Sequence, residues 1–190
     1  MKLSFIRVQR WDEALDLLAV RNECREGMTH TTGVITEEEQ AKFFTNEIVP
    51  GHTFECYLLR DGHALAGYGL LKRDGDRKWM SAGLTRPYRG RHLSRLLINL
   101  ITEIAYADRG TEVWIDVLDS NLALIGDLRC GYQLVETRIR EDGKMLRIMR
   151  HQRERVLGFI ENSLLTRMKS AKFADIVSEM IEVDAISRDW

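Results

Sequence analysis

Apolar residues alternate with polar ones in some stretches of the chain and recur every three or four positions in others. Alternation predicts strands at 3–8, 54–59, 64–72, 78–84, 113–118, 132–140 and 144–150. Helical spacing predicts helices at about 11–27, 36–50, 90–107 and 122–128. The resulting order, β-α-α-β-β-β-α-β-α-β-β, predicts an α/β fold. It excludes a doubly wound sheet, which needs helices between most of its strands.

Two more apolar stripes at helical spacing follow residue 150, from Val156 to Met168 and from Phe173 to Val183. We therefore predict a domain over residues 1–150 and a helical C-terminal extension over residues 151–190. The extension could pack on the domain, form a homodimer interface or cover the acceptor site, and the sequence leaves these alternatives open.

Composition narrows the classes of partner. The chain has 28 Lys and Arg against 29 Asp and Glu, a net charge of −1, so nothing favours a nucleic-acid partner. No apolar run approaches the ~20 residues of a membrane span, and the first residues do not resemble a signal peptide. The 3 cysteines lack metal-ligand spacing. These features predict a cytoplasmic protein with no metal, membrane or nucleic-acid partner.

A basic turn joins the end of the predicted fourth strand to the helix that follows it, over residues 84–97. The start of a helix carries unpaired N–H groups and a partial positive charge, which together bind anions. Gly90 lets the backbone approach a ligand. The guanidinium groups of Arg89, Arg91 and Arg95 suit phosphate oxygens. The turn therefore predicts a cofactor that carries a pyrophosphate.

This turn resembles the acyl-CoA signature of the GNAT superfamily of N-acetyltransferases, Gln/Arg-x-x-Gly-x-Gly/Ala. Arg89 matches its first position, whereas His92 and Ser94 stand where the family has small residues. Residues 112–121 resemble the family's fifth strand and the loop after it, and Gly131-Tyr132 resembles a Gly-Phe pair. The resemblance covers about residues 1–150. It implies a GNAT-like mixed, mostly antiparallel central sheet flanked by helices.

The resemblance also implies acetyl-CoA as co-substrate and assigns residues that bind it. The fourth strand would splay from its neighbour, with the Leu84 N–H near the thioester carbonyl. Asn121 matches a residue that contacts the cofactor arm, although it fits a helix N-cap equally well. The implied cofactor-binding residues are Leu84, Thr85, Arg89, Gly90, Arg91, His92, Leu93, Ser94, Arg95 and Asn121.

Proton transfer has fewer candidates. Asp116 is the candidate catalytic base, and the alternative is an ion pair with a nearby Arg. The family's usual acid, a Tyr, would fall at Asp127, and a carboxyl group is not expected to protonate a thiolate at neutral pH. Another Tyr or water would then serve. The histidines, His30 and His151 among them, are expected in loops or at the surface.

These residues predict an N-acetyltransferase that transfers an acetyl group from acetyl-CoA to a primary amine of a small molecule or peptide. The acceptor is expected against the polar segment 21–32. The alternative is a non-catalytic acyl-CoA-binding or oligomerising interaction module.

Overall fold

The computed structural model of the chain describes residues 2–30, 33–50, 53–91, 93–107 and 111–152. The strands are β1 (Leu3–Arg7), β2 (Phe54–Asp61), β3 (Ala64–Asp74), β4 (Arg77–Leu84), β5 (Glu112–Leu118), β6 (Tyr132–Ile139) and β7 (Met145–His151). The α-helices are α1 (Trp11–Cys24), α2 (Glu37–Phe43), α3 (Leu93–Ala105) and α4 (Ala123–Arg129). This order confirms the predicted α/β fold.

Local signals account for where the first two helices begin. The predicted capping box starts α2: the Glu39 N–H donates to Thr36 Oγ1 at 3.2 Å, and the Thr36 N–H donates to Glu39 Oε2 at 2.8 Å. At the start of α1, the Glu13 carboxylate accepts from the N–H groups of Gln9 and Arg10 at 2.8 and 3.0 Å. Side chains close in sequence therefore satisfy N–H groups that a helix start leaves unpaired.

The strands form one sheet of 7 in the order β1-β2-β3-β4-β5-β7-β6. Its neighbours are antiparallel except β4 and β5, which are parallel. That parallel pairing covers only 3 residue pairs and ends at Trp79 and Trp114. Beyond them β4 continues along β3 as far as Leu84, whereas β5 follows β7. A gap therefore opens between β4 and β5 in the middle of the sheet.

Helices cover both faces of the sheet. Alternate residues of β2 belong to two separate cores, Tyr57 and Leu59 to the one around α3, and Cys56 and Leu58 to the one around α1. Gly69 allows α3 to pack closely, because a Cβ there would lie 2.2 Å from the Ile101 side chain.

The end of the described chain corrects one expectation. His151 is buried, not in a loop or at the surface. Its Nε2 lies 3.1 Å from the Cys130 carbonyl and its Nδ1 lies 2.8 Å from the Tyr106 hydroxyl. Burial lowers the pKa of His151 to about 4. The helical extension was predicted from residue 151, but His151 still belongs to β7. The rest of the predicted extension, from residue 153 onward, lies outside the described residues.

No helix in the described ranges is long and apolar enough to cross a membrane.

Candidate active site

A cavity of about 900 Å³ lies where β4 and β5 separate. Its walls come from the second halves of β4 and β5, the turn after α1, the start of α3, and α4. The cavity exists because β4 and β5 diverge at this point. Their backbone groups therefore no longer pair with each other. A ligand that enters can pair with main-chain donors and acceptors.

The exposed edge of β4 presents backbone groups to this cavity. The Thr85 N–H bonds the Ala66 carbonyl at 3.0 Å, which makes Leu84 and Gly67 a non-hydrogen-bonded antiparallel pair. The N–H and C=O of Leu84 therefore point away from β3, toward the gap. Its carbonyl accepts from Arg89 Nε at 2.9 Å. The N–H is placed to stabilise negative charge on an oxygen in the gap.

The basic turn lies at one end of the cavity, which Arg89, Gly90, Ser94 and Arg95 all line. Gly90 has φ +72°, a left-handed conformation that favours glycine. α3 begins at Leu93, so its first backbone N–H groups lie beside this wall. This geometry suits a bound phosphate.

Two arginines of the turn are held by neighbouring groups while they line the cavity. Arg89 Nε donates to the Leu84 carbonyl at 2.9 Å, and its guanidinium is next to the Cys24 sulfur. The Arg95 guanidinium is next to the Cys130 sulfur. These contacts fix both guanidinium groups in the cavity wall, where their charge favours an anionic ligand.

The remaining predicted residues of this segment lie elsewhere. Arg91 is exposed, with its guanidinium carbon 5.7 Å from the centre of the Tyr88 ring. The Thr85 hydroxyl donates to the Leu65 carbonyl at 2.9 Å. Leu93 is buried in the core around α3. None of these three lines the cavity, and His92 lies outside the described residues.

Asn121 ties two walls of the cavity together. Its Nδ2 donates to the Gly27 carbonyl at 3.1 Å, and its Oδ1 accepts from the Ala123 N–H at 3.0 Å. The second bond forms a turn between residues two apart, and Asn121 lies one residue before Leu122, the N-cap of α4. The side chain also lines the cavity, so it is next to any ligand bound there.

Asp116 lies on β5 at the other end of the gap. Its Oδ2 is 2.5 Å from His30 Nε2. The Asp116 side chain is 16% exposed and that of His30 is 76% exposed. The hydrogen bond to the carboxylate is the main reason that the pKa of His30 is raised above 6.5. The ion-pair alternative therefore has a His, not an Arg, as the partner of Asp116.

The loop that carries His30 is fastened to the sheet. Thr29 Oγ1 donates to the Asp116 carbonyl at 3.2 Å, and the Arg140 guanidinium donates to the Thr29 carbonyl. Residues 26–29 line the cavity. The sequence offered one signal for His30, since it falls in the segment predicted to contact the acceptor.

Asp127 falls where the resemblance puts the family's usual acid, and the structure places it in the cavity wall. It lies on α4, lines the cavity and is only 6% exposed. Burial raises its pKa from 3.8 to about 7. This raised pKa runs counter to the expectation that the Asp127 carboxyl group would be fully ionised at neutral pH. Across the described ranges, no three His, Cys, Asp or Glu side chains form a group that could hold a metal ion.

Residues 15–132 match the profile of the acetyltransferase (GNAT) family. This match spans more than half of the chain, and the chain belongs to this family. It is an acetyl-CoA-dependent N-acetyltransferase, as its resemblance to the family implied. No curated protein has a matching sequence.

Solved structures share the fold. The spermidine N-acetyltransferase of Vibrio cholerae in complex with CoA and spermine has a TM-score of 0.71 at 13% identity, covering 82% of this chain and 98% of its own. AAC(6')-Ib in complex with ribostamycin and coenzyme A has a TM-score of 0.67 at 14% identity, covering 81% and 95%. At such low identity these similarities show the fold alone.

Proposed function

We propose that the protein transfers the acetyl group of acetyl-CoA to a primary amine of a small molecule or peptide, in the gap between β4 and β5. The main support for this proposal is the hydrogen-bonded pair of Asp116 and His30. Asp116 lines the same cavity into which the Leu84 N–H points. The family members with this fold include enzymes named for spermidine and aminoglycosides, which supports a small-molecule amine as acceptor.

Acetyl-CoA would lie with its pyrophosphate on the turn around Gly90 and the start of α3. Arg89 and Arg95 would supply positive charge from the wall. The pantetheine arm would pair with the free edge of β4. This pairing would bring the thioester carbonyl oxygen near the Leu84 N–H, which would stabilise the oxyanion as the amine attacks.

The acceptor must lose a proton before it can attack, because an alkyl ammonium has a pKa of ~10. The neutral imidazole of His30 would take this proton, directly or through water, and the Asp116 carboxylate would stabilise the imidazolium. The amine nitrogen then forms a bond to the carbonyl carbon and loses its second proton to solvent. The carbon–sulfur bond breaks, its electron pair passes to sulfur, and CoA leaves as a thiolate that solvent protonates. Protonated His30 cannot act as base, so we expect turnover to rise with pH through its raised pKa, above 6.5.

The acceptor is expected to enter beside residues 26–29. Glu26 and Asp116 both line the cavity, and each carries a carboxylate. They favour an acceptor that arrives as a cation. A protonated amine meets this requirement, and it supplies the proton that the pair removes.

The test is thiol release from acetyl-CoA with spermidine, an aminoglycoside, a free amino acid or a short peptide as acceptor. Asp116→Asn should lower turnover by about 10²-fold, the lower end of what general-base catalysis contributes. It should also move the acidic limb of the pH profile to lower pH, because the His30 pKa loses its main raising contact. His30→Gln should remove that limb.

Asp119→Asn is the matched control, because Asp119 pairs with Arg147 at 2.6 Å and does not line the cavity. Its turnover should stay near that of the unmodified protein. Acetyl-CoA affinity should be unchanged in all three variants. Full turnover and an unshifted acidic limb in Asp116→Asn would refute the role of the pair.

A further inference from the structure

Large apolar side chains are exposed mainly at one end of the sheet. Of the ten such side chains in the described ranges, seven lie on or beside α4 and the last two strands: Leu122, Ile125, Leu128, Leu134, Val135, Ile139 and Met145. Leu122 and Ile125 line the cavity, where a bound ligand can cover them, and Val135 lies at a break in the register of β6. We call the other four, Leu128, Leu134, Ile139 and Met145, the apolar edge.

The register of the last two strands places the apolar edge on one face of the sheet. Leu134 lies opposite Met149, and Ile139 lies opposite Met145. Directly opposed residues share a face, as do residues four apart on one strand. Met149 belongs to the core around α3, and Leu124 of α4 packs against the same core. The exposed side chains of β6 and β7 therefore lie on the face that carries α4, and they form one patch with it rather than scattered apolar positions.

β6 is the last strand of the sheet, so one side of it has no neighbouring strand. Its residues from Leu134 to Ile139 are all exposed. Folded proteins cover an edge strand with apolar side chains, because its unpaired backbone groups otherwise recruit another chain. No residue of the described ranges provides that cover, since the side chains of this strand remain exposed. The occupant of the apolar edge therefore comes from outside those ranges.

The chain leaves the described residues beside the apolar edge. The N–H of Gln152, the last described residue, donates to the Gly131 carbonyl at 3.1 Å. Gly131 lies between α4 and β6, midway along the chain from Leu128 to Leu134. The two apolar stripes predicted from the sequence follow directly. Val156, the first residue of those stripes, comes four positions after Gln152 and can lie up to about 14 Å from it.

The first apolar stripe has the length of the apolar edge. Leu134 and Ile139 are five positions apart on β6, which corresponds to about 17 Å at the rise of a strand. Val156 and Met168 are twelve positions apart, which corresponds to about 18 Å at the rise of an α-helix. Between them, the stripe consists of Phe159, Ile160, Leu164 and Leu165. A helix with this stripe would reach from one end of the apolar edge to the other.

We propose that the first apolar stripe of the C-terminal segment, from Val156 to Met168, packs on the apolar edge of its own chain. A second copy of the chain is the competing occupant. The attachment at Gln152 favours the chain's own segment, because a short linker gives an effective concentration in the millimolar range. The segment then covers the open end of the sheet and prevents β6 from pairing with a second copy. This packing does not depend on the proposed acetyl transfer.

Photocrosslinking in the full chain tests this packing. A benzoylphenylalanine in place of Leu128, or of Ile139 if the first variant does not fold, should link on irradiation to peptides from residues 153–190. A mixture of unlabelled and heavy-isotope-labelled chains distinguishes the two occupants by mass spectrometry, because only links between copies join peptides of different label. The control position is Val49, which is 60% exposed and follows Ile48 of the core around α1. It should give no link to the segment.

Two substitutions in the full chain test the stripe itself. Ile160→Asp should lower the yield of the link about tenfold or more, because a charge buried in an apolar contact is costly. Asn162→Asp is the matched control: it adds the same charge two positions away, on the opposite side of a helix, and should keep the yield. A link within one chain that only Ile160→Asp removes supports the proposal. Links between copies, no link to residues 153–190, or equal yields from the two variants would overturn it.

Discussion

The burial of Asp127 predicts an unusual dependence of stability on pH, measurable without any substrate. In the folded chain its pKa is about 7, against an ordinary value of 3.8. This rise corresponds to about 4 kcal/mol of differential interaction between the two protonation states. The corresponding contribution to the free energy of unfolding is fully present below about pH 4, where Asp127 is neutral in both the folded and the unfolded chain. It is lost as pH rises through about 7, because the carboxylate must then ionise inside the protein.

Asp127→Asn removes the ionisation and keeps the shape of the side chain. At pH 8 the variant should be more stable than the unmodified protein by up to about 4 kcal/mol, less the cost of burying the amide. At pH 5 the gain should be smaller by about 2–3 kcal/mol, since most Asp127 is still protonated in the folded state. For a chain of this size, a gain of 4 kcal/mol corresponds to about 10 °C in Tm.

Urea unfolding at several pH values between 5 and 8 measures both free energies. His151 gives an effect of opposite sign, because its pKa is lowered to about 4 and its contribution is lost as pH falls below 6.5. It is present in both proteins and cancels in the difference. Asp119→Asn should show a small change that does not depend on this pH range. A variant that gains nothing at pH 8, or gains the same amount at pH 5, would refute the reasoning.

Two further predictions concern the cofactor turn and the C-terminal segment. Arg89→Glu should weaken acetyl-CoA binding by about 10- to 100-fold, the value of a lost charge-assisted hydrogen bond. Arg91→Glu should have a much smaller effect, because Arg91 does not line the cavity. If calorimetry gave the two variants the same affinity for acetyl-CoA, Arg89 would not be part of the binding site. A chain that ends after Gln152 should keep acetyl-CoA binding, because the last described strand ends at His151. Its solubility or oligomeric state should change, since the apolar stripes of the predicted extension must be buried somewhere, and unchanged solubility and mass by light scattering would make the extension dispensable.

The sequence by itself determined the order of helices and strands, the family and the basic turn. These follow from local signals that depend on residues near each other in the chain, such as the capping box at Thr36 and the arginines around Gly90. Strand parity was likewise readable, and it placed Asp116 on the opposite face of β5 from its apolar neighbours Val113, Ile115 and Val117.

Only the tertiary structure decided which proton-transfer groups meet and in what state. Asp116 and His30 are 86 residues apart. They come together because Thr29 and Arg140 fasten the loop that carries His30 to the sheet. The resemblance drew attention to Asp127 as the position of the family's usual acid, but the sequence alone indicated an ordinary, ionised carboxyl group there. Its burial arises where α4 packs against α3 and β6, and the resulting loss of solvent raises its pKa to about 7. No local pattern reports that loss, because desolvation depends on every element that surrounds the side chain.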